Sequence, residues 1–139
     1  MKKTNKKETQ IIGNTGMYYV CYQLSLRGWN VMPTARNARG VDVIAYHLDN
    51  NEYLGIQVKT LSRRNPVPLG KDLNKISGDF WVIVVLSYSG DPDIFVLTPD
   101  EVKKLRHDGI NKKGEISYWL HPNSYEKDEF RNNWEKIHK

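Results

Sequence analysis

Asp42, Gln57 and Lys59 are the residues of this chain whose types and setting point to chemistry. Each interrupts an aliphatic run: Asp42 in Gly40-Val41-Asp42-Val43-Ile44-Ala45, and Gln57 and Lys59 in Gly55-Ile56-Gln57-Val58-Lys59-Thr60. Side chains alternate along a strand, so Gln57 and Lys59 share one face with Gly55, while Leu54, Ile56, Val58 and Thr60 take the other. If Asp42 joins the Gln57 and Lys59 side, a carboxylate, an amide and an ammonium converge. A carboxylate holds a hard cation such as magnesium. A lysine beside it steadies a water nucleophile, or the charge that develops on a phosphate. Taken singly, each residue has an ordinary structural explanation. An aspartate in a strand marks a turn or an edge, and a lysine among valines lays its stem on them while its ammonium reaches water. The order and context of all three together carry the functional reading.

The elements that must position them are two short strands. Val41 to Tyr46 and Leu54 to Leu61 are rich in Val, Ile and Tyr, and Asp49-Asn50-Asn51 between them is a turn signal. The two form an antiparallel hairpin with a loop of several residues.

This pattern resembles the PD-(D/E)XK nuclease superfamily, in which an aspartate opens one strand and an acidic residue, any residue and a lysine follow on the next. Gly40 to Ala45 stands for the first part and Gln57-Val58-Lys59 for the second, with glutamine in place of the acid, a variant known in the superfamily. The likeness spans residues 8–88 and looks closest to restriction-endonuclease-like and Holliday-junction-resolvase-like members. It implies a restriction-endonuclease-like fold and Mg2+-dependent hydrolysis of DNA phosphodiesters. Asp42 and the backbone carbonyl of Val58 would hold the metal, Gln57 would shape the site, and Lys59 would position water or stabilise charge. DNA is the implied partner, and a homodimer is a further one, since resolvase-like members work in pairs. The chain departs from the pattern on the first helix. Many resolvase-like members carry a glutamate there directly after a glycine, whereas Gly16 is followed here by Met17, which cannot ligate a hard cation. Asp42 is then the only carboxylate at the matched positions. Two further readings stand beside the active nuclease: a catalytically impaired descendant that binds DNA or a protein partner, and a homo-oligomeric subunit of an assembly.

Basic residues cluster around the hairpin ends. Arg36 and Arg39 precede Asp42, and Arg63 and Arg64 follow Lys59. Arginine matches phosphate oxygens bidentately, so these four form the candidate nucleic-acid-binding surface, with Lys71 and Lys75 joining from the next segment. Singly, each is equally a solvated loop residue. Lys2, Lys3, Lys6 and Lys7 make a basic N-terminal arm over residues 1–8, which either touches phosphates or is a soluble end.

Around the hairpin the chain reads as α/β, with a central mixed sheet of about five strands flanked by helices. A long first helix runs from Asn5 or later to Arg27. Asn5 and Glu8 have capping-box spacing, and Gly28 closes it. Gly13, Met17, Val20 and Leu24 share one face. Gly13 and Gly16 signal either close packing on a sheet or a helix that begins near Asn14. Trp29 to Met32, Asp79 to Leu86 and Asp93 to Leu97 supply the other strands, the second an apolar run suited to burial on both faces. Pro66 and Pro68 exclude a helix or a central strand after the hairpin. Thr98-Pro99-Asp100-Glu101 opens a helix that reaches about His107. Ile116, Tyr118 and Leu120 alternate as in an edge strand. The tail, residues 126–139, is predicted helical, with Phe130, Trp134 and Ile137 on its packed face.

Composition fits this reading. The chain has 139 residues, which suits one domain over residues 1–139, and 39% apolar with 27% charged residues is a globular balance, not a disordered one. A net charge of +5 favours polyanionic partners. Cys21 is the single cysteine and reads as a small core residue. His107 and His121 lack partners at zinc-ligand spacing. No apolar run spans a bilayer and no apolar segment follows the basic N-terminus, so the expectation is a cytoplasmic protein with no membrane contact. Glycine-rich phosphate loops and hydrolase triads are absent from the sequence. Tyr18, Tyr19 and Trp119, where exposed, are available to stack on bases.

Overall fold

The structure is a computed structural model, and it describes residues 6–34, 40–87 and 90–138. The chain opens on helix α1 (Lys6–Leu26), followed by strands β1 (Trp29–Pro33), β2 (Val43–His47), β3 (Glu52–Leu61) and β4 (Val67–Gly70). Then come β5 (Phe80–Val85), β6 (Asp93–Leu97), α2 (Pro99–Leu105), β7 (His107–Ile110), β8 (Ile116–Leu120) and α3 (Pro122–Tyr125). The expected α/β architecture is present. Five strands form a mixed sheet in the order β1-β2-β3-β5-β6, and a second sheet has the order β4-β8-β7. Within the large sheet β3 and β5 run parallel, with Lys59 beside Ile83, and the other neighbours are antiparallel. Among the described residues no helix is long and apolar enough to cross a membrane.

Two cores sandwich the large sheet. On one face α1 buries Val20 and Leu24 against Val43, Ala45, Leu54, Ile56, Val82 and Val84. On the other, Trp81, Ile83, Phe95 and Leu97 meet Val67, Leu69, Leu120 and Tyr125 from the small sheet and α3, and Val102 from α2. β5 is buried along its whole length, as a run of six apolar residues between two layers must be. The alternation predicted for β3 holds: Leu54 and Ile56 belong to the α1 core and Leu61 packs on the other.

The two readings of the early glycines are now separated. The helix begins at Lys6 rather than near Asn14, and Gly16 is the close-packing residue. A Cβ on Gly16 would lie 1.8 Å from the Thr60 hydroxyl oxygen, whereas one on Gly13 would meet nothing. Glycine at position 16 therefore lets α1 rest directly on β3, at the level of Lys59 and Thr60. Gly16→Ala is expected to destabilise the domain by about 1–3 kcal/mol through overpacking, overriding the ~1 kcal/mol that alanine ordinarily gains in a helix. A urea midpoint equal to or above wild type would show that the helix and strand are not in contact there. Gly28, at φ 90°, terminates α1 in the left-handed conformation as predicted.

Four expectations for the remainder need correction. Residues 1–8 do not form a separate arm throughout, because α1 already includes Lys6 to Glu8; residues 1–5 lie outside the described residues. The segment after Thr98 keeps its cap, with the Thr98 hydroxyl accepting from Glu101 N–H and the Glu101 carboxylate accepting from Thr98 N–H. Its helix nonetheless ends at Leu105, and His107–Ile110 form a strand. That strand supplies the outer neighbour of β8, so Ile116–Leu120 is the central strand of the small sheet, not an edge. Pro68 sits in β4, at the sheet's other edge, where a missing N–H is tolerated.

The predicted C-terminal helix over residues 126–139 is replaced by turns and a short 3-10 segment, Trp134–Lys136. Phe130, Trp134 and Ile137 are buried as expected, but by another route. The Val96 N–H donates to Phe130 C=O, and the Asn132 N–H donates to Ile94 C=O. The tail thus covers the open edge of β6, which a helix could not do, and an unpaired edge is a liability. Asn132 at φ 50° turns the chain away after this bridge.

Candidate functional site

Asp42 stands at the bend that feeds β2. Its N–H donates to Ile56 C=O at 2.9 Å, and its C=O accepts from Thr34 N–H at 2.8 Å. The Thr34 hydroxyl donates to Val41 C=O at 2.6 Å, so the chain on either side of residues 35–39 is pinned together beside the acid. Arg36 and Arg39 lie outside the described residues.

The Asp42 carboxylate is positioned by β3. Its Oδ2 accepts the Val58 N–H at 2.7 Å, and so continues the ladder where the β2 backbone has already bent away. In an extended strand the N–H and C=O of one residue project to the same side. The Val58 carbonyl is therefore directed to the side on which Asp42 lies. Asp42 and Val58 line a cavity of about 270 Å3 whose other wall is α1, through Gln10, Gly13, Asn14 and Met17, with Thr34 at the margin.

Lys59 lies on the opposite strand face, its ammonium 5.4 Å from the centre of the Trp81 ring. It is half-buried, and burial lowers its pKa from the ordinary lysine range while the nearby Asp42 charge pulls it part of the way back. Gln57, half-buried, shares that face by strand alternation. At the start of the same face Asp79 clamps Gly55, its carboxylate accepting Gly55 N–H at 2.8 Å and its own N–H donating to Gly55 C=O at 2.7 Å.

The condition for convergence is met in part. Asp42, Val58 and Lys59 are brought together, and the charge of Asp42 is felt by Lys59. The carboxylate, however, lies at the level of the ladder and opens toward α1, whereas Gln57 and Lys59 point to the other side. The predicted arginine cluster is divided. Arg64 donates through Nε to both Glu126 oxygens at 2.8 Å and through Nη2 to Asn123 at 3.0 Å, which ties the end of the hairpin to α3. It is committed to structure. Lys71 is likewise paired, with Glu115 at 3.0 Å. Arg63 is exposed, and neither it nor Lys75 has an ion-pair partner among the described residues.

Gln10, Asn14 and Thr34 are site residues that sequence reasoning did not single out. A signal was present: Gln10, Asn14 and Met17 follow the i, i+4, i+7 spacing of one helix face, the face that carries Met17 into the cavity. The donors available to a cation here are all oxygens: the Asp42 carboxylate, the Val58 carbonyl and the side-chain amides of Gln10 and Asn14. That set suits a hard divalent ion, which takes one or two carboxylates and retains several waters. No group of three or more His, Cys, Asp or Glu side chains able to hold a metal occurs among the described residues. No family model matches the chain, and no curated protein matches it.

Proposed function

We propose that this chain is a PD-(D/E)XK-type nucleic-acid-interacting domain that hydrolyses DNA phosphodiesters at Asp42 with a bound Mg2+. The observation that carries this reading is the hydrogen bond from Val58 N–H to the Asp42 carboxylate at the end of the hairpin, beside a lysine whose charge is partly desolvated. The bond joins Asp42 to the Gln57-Val58-Lys59 segment, with the cavity at the acid on the α1 side and Lys59 on the opposite strand face.

In this mechanism Asp42 and the Val58 carbonyl would hold the metal, with the amide oxygens of Gln10 and Asn14 able to join from α1. A bound Mg2+ would supply Lewis-acid polarisation of the phosphate and lower the pKa of a bound water. Asp42 is held by the Val58 N–H in a fixed orientation. Lys59 brings a positive charge whose attraction for the developing phosphate charge is strengthened by poor solvation. Gln57 supports the Lys59 face without adding charge. Arg63, exposed at the end of the hairpin, contributes to backbone-phosphate binding.

A second reading has its own observation. Met17 occupies the wall of the cavity where an acid would complete a stronger metal site, which favours a descendant that binds DNA without cutting it. The separating experiment is incubation of purified protein with plasmid, single-stranded and branched DNA in Mg2+ or Mn2+, with EDTA controls. Metal-dependent cutting is the expected result. Salt-sensitive DNA binding without cutting selects the second reading, and neither binding nor cutting overturns both.

A further inference from the structure

A second cavity, of about 480 Å3, is lined by Gly40, Asn74, Lys75 and Ser77. Among the described residues its lining contains an ammonium, a hydroxyl and an amide, and no carboxylate. The segment that forms it is tightly built. Gly40 is at φ 68°, and a Cβ there would sit 2.1 Å from the Ser77 hydroxyl oxygen. Gly78 is at φ 92°, and a Cβ there would sit 3.2 Å from Gly40 C=O. Ser77 C=O is held by the Trp81 indole N–H at 2.9 Å, and the same ring carries the Lys59 ammonium. Asn74 is oriented by its backbone N–H, which donates to Asp72 Oδ1 at 2.9 Å. The two glycines bring the Ser77 loop against the segment that delivers Asp42; Asn74 and Lys75 are exposed, and the half-buried Ser77 hydroxyl donates to Lys75 C=O at 3.5 Å.

We infer that this cavity is a phosphodiester subsite, in which Lys75 supplies the charge and Ser77 and Asn74 the neutral donors for a backbone phosphate of the nucleic acid. The inference rests on the nucleic-acid reading above. Gly40 and Asp42 are two steps apart along the chain, a contour of at most about 7 Å, so the subsite adjoins the Asp42 site. Lys75 lines this cavity and has no ion-pair partner among the described residues, whereas Lys71 is paired with Glu115 and Arg64 with Glu126. A phosphate contact of this kind sets register on the strand and carries no sequence information.

The test is fluorescence anisotropy of a labelled DNA duplex with the full chain, across a salt series, for wild type, Lys75→Ala, Ser77→Asp and the exposed control Lys104→Ala. Lys75→Ala is expected to weaken binding by about tenfold near 0.1 M salt and to flatten the slope of log K against log salt by about 0.9, one phosphate's worth. Ser77→Asp is expected to weaken binding at least as much by repulsion, and Lys104→Ala to match wild type. Wild-type binding with unchanged affinity and slope in both variants overturns the subsite while leaving the nucleic-acid reading standing. Equal losses in Lys104→Ala overturn it too, because the charge effect would then be general. No binding by wild type overturns the nucleic-acid reading, and the subsite with it.

Discussion

Asp42→Asn is expected to lower metal-dependent DNA cleavage by about 10^3-fold or more while the protein stays folded. The magnitude follows from the donor set: among the described residues Asp42 is the one carboxylate lining its cavity, and removing a group that stabilises transition-state charge costs about 10^2–10^3 even where others share the work. Asparagine is preferred to alanine for a reason visible in the fold. The Asp42 carboxylate accepts the Val58 N–H at 2.7 Å, and deleting this part-buried acceptor leaves that donor without its protein partner, at a cost of up to about 1–3 kcal/mol. Asparagine keeps a carbonyl oxygen in place and removes the charge. Cleavage rates beside thermal midpoints separate the two effects. Undiminished cutting by a folded Asp42→Asn protein would place the chemistry elsewhere.

Lys59→Met should abolish cleavage and raise stability in one substitution. Burial lowers the Lys59 pKa below that of the unfolded chain, with Asp42 opposing only in part. Between the folded and unfolded pKa values the unfolded chain binds more protons, so stability rises with pH through that window. Below it, at neutral pH, the cost of a poorly solvated ammonium is present in full, and methionine removes that cost while keeping the packing on Trp81. The urea midpoint of Lys59→Met is therefore expected to exceed wild type near pH 7, and the gain to shrink as pH rises through the lysine range. In the wild type, activity that depends on the ammonium should fall with rising pH before an ordinary lysine, at about 10.4, would deprotonate. A midpoint at or below wild type at pH 7 would mean that Lys59 is stabilising and carries no functional strain.

Local pattern carried much of the fold. The five strands of the large sheet were each legible, because period-2 alternation and buried aliphatic runs are properties of the segment itself. So were the Thr98 cap and the Gly28 stop, whose chemistry lies within one turn of chain. What failed was the fate of segments whose partners are distant. Phe130, Trp134 and Ile137 have helical spacing, yet the β6 edge recruits Phe130 and Asn132 into a bridge, and no sequence window holds both. Ile116–Leu120 alternates as an edge or a central strand would, and only the short His107–Ile110 neighbour makes it central.

The site divides along the same line. By itself the sequence determined which residue types are available near the hairpin, that Gln57 and Lys59 share a face, and that a methionine follows Gly16 on the first helix, since these follow from alternation and order along the chain. Tertiary structure alone decided that Asp42 is anchored by the Val58 N–H, that Gln10 and Asn14 share its cavity, that Arg64 is consumed by Glu126 while Lys75 has no ion-pair partner among the described residues, and that Gly16 sets the height of α1 over β3. Each of these depends on a distance between segments remote in sequence. Such distances are set by how closely helix and strands pack, and backbone periodicity does not encode them.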